Sequence, residues 1–163
     1  MLTEAGIMQL ADVRLIPRSR RYPHFNGDQL ARTLSDVGIA YQHLPALGGR
    51  RTARKDVASR NTLWRVEAFR NYADYAETPP FTEALAELER LARARPTAYM
   101  CAEAVWWRCH RRLITDYLLT RGWEVVHLLG PGQQDRAALT PGAVVRDDGV
   151  IEYPAKSTQP RLI

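Results

Sequence analysis

Lysine is almost missing from this chain of 163 residues: Lys55 and Lys156 stand against 21 arginines. Cysteine is as scarce, and Cys101 and Cys109 are too few for the disulfide framework of a small secreted scaffold. No apolar run approaches the roughly 20 residues that a membrane-spanning helix needs. The opening Met1-Leu-Thr-Glu-Ala-Gly6 has neither the basic patch nor the apolar stretch of a secretory leader, so a cytoplasmic protein is expected. Gly-x-Gly-x-x-Gly, the phosphate-binding loop and Gly-x-Ser-x-Gly are all missing, as are internal repeats and low-complexity segments.

What remains is an ordinary globular composition, 45% hydrophobic and 25% charged. The length fits a single domain over residues 1–154, with residues 155–163 as a loose tail.

The net charge of +5 favours an anionic partner without choosing between a small phosphate and a nucleic acid. A GC-rich codon bias would raise arginine everywhere. Here the arginines cluster: Arg14, Arg18, Arg20 and Arg21, then Arg50, Arg51 and Arg54, then Arg108, Arg111 and Arg112. The guanidinium fork is the side chain best matched to phosphate and carboxylate.

Short apolar runs alternate with helical patterns. Strands are expected at residues 12–17, 39–45, 97–102 and 124–129. Between them fall a helix capped at Asn26 or Asp28 and stopped at Gly38, and one from Thr62 ended by Pro79-Pro80. A third is capped by Thr82, and a fourth runs from Arg111 to Arg121. The alternation predicts an α/β fold, a mostly parallel sheet with helices on both faces. Asp147-Asp148-Gly149 between two short apolar runs predicts a small C-terminal β-hairpin.

In an open parallel sheet, ligands bind beyond the carboxyl ends of the strands. Each arginine cluster follows such an end, so three basic loops should border one cleft. Arg14, Arg18, Arg20, Arg50, Arg108 and Arg111 are the candidate anion contacts. The third loop also holds the reactive candidates. Cys109 and His110 precede a helix start beside three arginines, where a helix N-terminus and nearby guanidinium groups favour thiolate. Cys101, at a strand end, reads as a buried thiol. His110 fits a general acid or base, or a helix cap. Glu103 fits a base, or more simply a salt-bridge partner for an arginine. The free N–H groups of His110–Arg112 are expected to attract phosphate. Trp106 and Trp107 read as packed side chains, with stacking on a base as the alternative for one of them.

Several readings fail on spacing. Six residues separate Cys101 from Arg108, one too many for a phosphatase loop. A zinc site from Cys101, Cys109, His110 and His127 lacks the usual Cys-x-x-Cys spacing, so no metal is expected. A Cys101–Cys109 disulfide is disfavoured in a reducing cytoplasm. No cofactor is indicated.

Asp12-Val-Arg14, Pro17-Arg-Ser-Arg20, Pro23-His-Phe-Asn26, Gly38-Ile-Ala-Tyr41, Leu47-Gly-Gly49, Phe69-Arg-Asn-Tyr-Ala73, Cys101-Ala-Glu103 and Cys109-His-Arg111 follow one another in an order that resembles domain of unknown function family 488. The resemblance spans roughly residues 2–154 and implies an α/β fold, but no reaction. Members usually begin with a strand ending in a Thr-Ile-Gly-His-Ser-like loop. This sequence opens within the helix that follows, at residues 2–8. Either the start site is assigned late or the strand is lost, and loss would leave a sheet neighbour unpaired, which invites a homodimer.

The first expectation is therefore a protein that binds a phosphate-containing or nucleotide-like small molecule at the carboxyl edge of the sheet. A Cys109/His110 pair would serve any chemistry. The alternatives are a nucleic-acid-associated protein using the same arginines, and an inert structural relative. No membrane partner is expected.

Overall fold

The computed structural model describes residues 1–54 and 57–155, so the expected tail beyond residue 155 lies outside the described residues. The centre is a three-stranded parallel sheet of order β2-β1-β3, with β1 at Gln9–Asp12, β2 at Ala40–His43 and β3 at Thr97–Met100. Gln9 lies level with Ala40 on one side and Thr97 on the other, and Asp12 with His43 and Met100. All three strands therefore end together. With four α-helices and two small antiparallel pairs among the described residues, the fold is α/β.

β1 lies three residues before its expected place. The apolar run Val13, Leu15, Ile16 looks like the strand, yet Ile16 is 66% exposed and belongs to the loop beyond it. The strand proper carries two polar residues, Gln9 and Asp12, both buried. Asp12 tolerates burial because Arg14 grips both its carboxylate oxygens through Nε and Nη2, while the Tyr41 hydroxyl donates at 2.7 Å.

Alternate residues of β1 enter different apolar clusters. Leu10 packs with Leu30 and Leu34 of α1 (Gly27–Ser35) and with Ile39. Ala11 and Val13 join the larger core built by α2 (Glu67–Ala76), α3 (Pro79–Ala94) and α4 (Arg111–Thr120). α1 ends at Ser35, and the turn after it closes as expected at Gly38, whose φ of 74° lets Ile39 N–H return to Leu34 C=O. Asn26 flanks α1 but does not cap it, because its Oδ1 accepts the Ser19 N–H.

Three helix boundaries differ from expectation. α2 starts at Glu67 rather than Thr62, since Leu63 N–H bonds to Tyr153 C=O and Trp64 is buried against Phe69 and Tyr153. Pro79-Pro80 do not stop α2; they open α3, where a missing N–H costs nothing. Thr78, not Thr82, flanks that start. Of residues 2–8, expected as helix, residues 2–6 form a single turn closed by Ala5 N–H to Met1 C=O.

The expected fourth parallel strand also changes partner. β4 (Val126–Gly130) pairs antiparallel with β5 (Gln133–Arg136) across a tight turn at Gly132, whose φ is 65°. β6 (Val144–Val145) and β7 (Ile151–Glu152) form the C-terminal hairpin. No helix among the described residues is long and apolar enough to cross a membrane.

Candidate thiol–imidazole site at the sheet's carboxyl edge

Because the three strands end level, the loops after them meet. Residues 13–21 leave β1, residues 44–51 leave β2 and residues 101–110 leave β3. Together they border a cavity of about 860 Å³. Arg14, Arg18, Arg20, Arg50 and Arg108 line it, with Glu103, Cys101, Cys109 and His110.

The loop after β2 is held tightly. Tyr72 and Tyr75 of α2 donate to the Leu47 and Ala46 carbonyls, each at 2.7 Å. Arg51 donates to the carbonyls of Gly48, Pro45 and Ala46 and lies 3.7 Å from the Tyr75 ring centroid. Arg51 is thus a staple rather than a ligand contact. Gly48 lets the loop pass the Leu15 backbone, which a Cβ would meet at 2.7 Å.

His110 sits between this loop and the cysteines. Its Nε2 lies 3.1 Å from the Val13 carbonyl, its Nδ1 3.5 Å from Cys109 Sγ, and its ring packs against Tyr72. A carbonyl only accepts, so Nε2 carries the proton and Nδ1 turns its lone pair to the thiol. This is the geometry of a thiol with a positioned base. Cys101 Sγ lies 2.7 Å from Cys109 Sγ, and both cysteines are free thiols.

The contact ties the ionisation of one thiol to that of the other. The Cys101 S–H pointing at Cys109 holds Cys109 well below the ordinary thiol range against the opposing cost of burial, with a proton on His110 Nδ1 and the Arg111 N–H adding to it. The same contact pushes Cys101 far up, because a second ionisation would place two negative charges side by side. Exposure runs opposite to expectation: Cys109 is 3% exposed, whereas Cys101 is only half-buried.

The arginines divide. Arg18, Arg20, Arg50 and Arg108 are exposed, and among the described residues none has an acidic partner. Arg14 lines the cavity but is buried, with Nε and Nη2 on Asp12 and Nη1 on the Phe25 carbonyl at 2.8 Å. It holds the loop in place. Arg111 does not line this cavity. Its Nη2 donates to the Glu103 carbonyl at 2.5 Å, and it borders a second cavity, of about 420 Å³, between β3 and β4. Glu103 thus meets an arginine through its backbone, not its carboxylate. The start of α4 is not an open anion site either: the Arg111 N–H points to Cys109 Sγ at 3.5 Å and the Arg112 N–H to the Cys109 carbonyl.

Trp106 stacks on His127, with ring centroids 3.9 Å apart, while Trp107 is 48% exposed, so only one of the pair packs inward. Cys101, Cys109 and His110 bring their donor atoms within 4.8 Å of one another. Sulfurs around tetrahedral zinc stand roughly 3.8 Å apart, so the present separation suits a cation poorly. His127 is not in this cluster.

Composition could not reveal Tyr72, which props His110, or Gly49, which makes room for it: a Cβ there would lie 2.8 Å from His110 Nδ1. The paired glycines of Leu47-Gly-Gly49 were the available signal.

Fold and site together define an α/β protein with a thiol–imidazole cluster at the carboxyl edge of a parallel sheet. The profile of the family described as Domain of unknown function DUF488 matches residues 1–118, and the chain belongs to that family. The match takes in all three parallel strands and every loop at the cavity; it stops within α4, short of the expected residue 154. No curated protein and no solved structure matches the chain.

Proposed function

We propose that the larger cavity binds a phosphate-containing or nucleotide-like anionic small molecule, and that Cys109 with His110 acts on it as nucleophile and base. One observation carries this reading. Arg18, Arg20, Arg50 and Arg108 ring the same space that Cys109 and His110 line, and none of them is neutralised by an acid among the described residues. Guanidinium groups with no internal partner suit an external anion. The reduced thiols suit the cytoplasm.

Calorimetric titration with inorganic phosphate and with a nucleoside monophosphate tests the binding. Losing one charge-assisted hydrogen bond is worth about 1.5–3 kcal/mol, so Arg108→Ala should weaken binding roughly tenfold or more. Bound ligand should also slow alkylation of Cys109. No heat with either ligand, together with no protection of the thiol, would remove the proposal.

Exposed Trp107 beside Arg108 supports a second reading, in which a single strand of nucleic acid stacks there. Salt separates the two. Displaced counterions make nucleic-acid affinity fall steeply with ionic strength, and a small-ligand pocket responds mildly.

A further inference from the structure

The anion reading uses one sulfur, yet two are present. Cys101 and Cys109 lie 2.7 Å apart without a bond between them, well within reach of attack by one on the other. Their surroundings differ. Cys101 follows the end of β3, is half-buried, and accepts the Glu103 N–H at 3.2 Å. Cys109 is almost fully enclosed, accepts the Arg111 N–H and faces the His110 lone pair. Both line the larger cavity, so a small reagent can approach them from that side.

We infer that Cys101 and Cys109 form a redox couple that exchanges with low-molecular-weight disulfides of the glutathione type, Cys101 meeting the incoming disulfide and Cys109 closing the internal bond. As the Cys101 sulfur attacks the outer disulfide, its proton crosses to Cys109. A mixed disulfide forms, and one small thiolate leaves and takes a proton from solvent. Cys109 then passes its proton to His110 Nδ1 and attacks Cys101 Sγ. The internal disulfide forms, the mixed bond breaks, and the second small thiolate leaves with the proton held by the imidazole. The protein gives up two electrons, and the outer disulfide becomes two thiols. The His110 lone pair, 3.5 Å from Cys109 Sγ, takes the proton in the closing step, and the short reach keeps the mixed disulfide brief. The bond would also consume the proposed nucleophile, so oxidation would switch that chemistry off.

The inference goes beyond anion binding and stands without it. The test treats the reduced full chain with oxidised glutathione in phosphate-free buffer, followed by intact mass and by counting thiols open to iodoacetamide. A monomer lighter by two hydrogens, free of glutathione, with both thiols lost and both restored by dithiothreitol, is the expected result. Cys109→Ser should accumulate one glutathione, on Cys101. In the wild type, peptides trapped at early times should carry glutathione at Cys101 and not at Cys109, which tests the order without any variant. The phosphate titration uses no oxidant and this test uses no phosphate, so a failed anion reading leaves this one untouched. Lasting glutathione adducts on the wild type, disulfide-linked dimers, an unchanged protein, or thiols that react only after zinc is chelated would each overturn it.

Discussion

The Cβ that Gly49 lacks would lie 2.8 Å from Nδ1 of His110, the nitrogen that faces Cys109. A loop after β2 therefore sets the position of the base for a thiol after β3. Any side chain at residue 49 must push the ring off the thiol, off the Val13 carbonyl, or both.

Gly49→Ala should accordingly cost about 1–3 kcal/mol, the usual range for forcing atoms into packed space. Urea unfolding measures that cost. The more telling readout is the midpoint of the Cys109 thiolate titration, which should move upward as His110 moves away from Cys109. A variant with wild-type stability and an unchanged thiolate signal would mean that the ring relaxes freely and that Gly49 positions nothing.

The paired thiols make a prediction of their own. With the two ionisations tied together, ultraviolet titration of the reduced protein should show a single thiolate persisting well below the ordinary thiol value of about 8.5, and a second appearing only in strong alkali. The contact with Cys101 is the largest cause of the lowered value at Cys109. Cys101→Ala should therefore move the Cys109 transition upward, while His110→Ala should move it less. A profile insensitive to Cys101 would place the cause elsewhere.

How much of this was legible in the sequence depended on the range of the interaction concerned. β2, β3 and α4 fell close to their expected places because each follows a local signal: an apolar run closed by proline or polar residues, or a helical period closed by Gly122. β1 was misplaced because its outward sign is polarity. Asp12 is buried only because Arg14 and Tyr41 meet it, and Tyr41 comes from another strand. The parallel pairing expected of β4 failed for a related reason, since the antiparallel partner β5 is a polar run, Gln133–Arg136, with no strand pattern of its own. At the site, chain order was enough to bring three loops to one edge. It could not say that Arg14 and Arg111 are engaged by the loops themselves, or that Cys109 rather than Cys101 is the enclosed thiol.

Asp12 links the loop after β1 to acid stability. Burial alone would raise its pKa, but the hydrogen bonds from Arg14 and Tyr41 outweigh that and hold it below the ordinary carboxylate range. A group with a lowered folded value stabilises the protein above its unfolded pKa of about 4, and that contribution is lost as pH falls through the folded value. Asp12→Asn leaves Arg14 buried without its counter-charge, a change that typically costs about 3–5 kcal/mol at neutral pH. The gap between variant and wild type should narrow as pH drops below roughly 4, because only the wild type loses this contribution there. Urea midpoints measured across that range decide it, and a gap that stays constant with pH would show that Asp12 does not carry the effect.

Arg50 offers the sharpest separation of site from scaffold. It is exposed, it lines the larger cavity, and its φ of 60° lies in the left-handed region that non-glycine residues seldom adopt. That conformation costs an L-residue roughly 1–2 kcal/mol, whereas glycine adopts it freely at an unfolded-state entropy cost of about 0.5–1 kcal/mol. Arg50→Gly should therefore leave stability unchanged or raise it by up to about 1.5 kcal/mol. If the guanidinium meets an external anion, the same substitution should weaken phosphate binding, measured by calorimetry. Stability and affinity then move in opposite directions, which a residue placed only for structure would not produce. An unfolding midpoint that falls together with affinity would mean that Arg50 holds the loop, and that the anion contacts belong to Arg18, Arg20 and Arg108 alone.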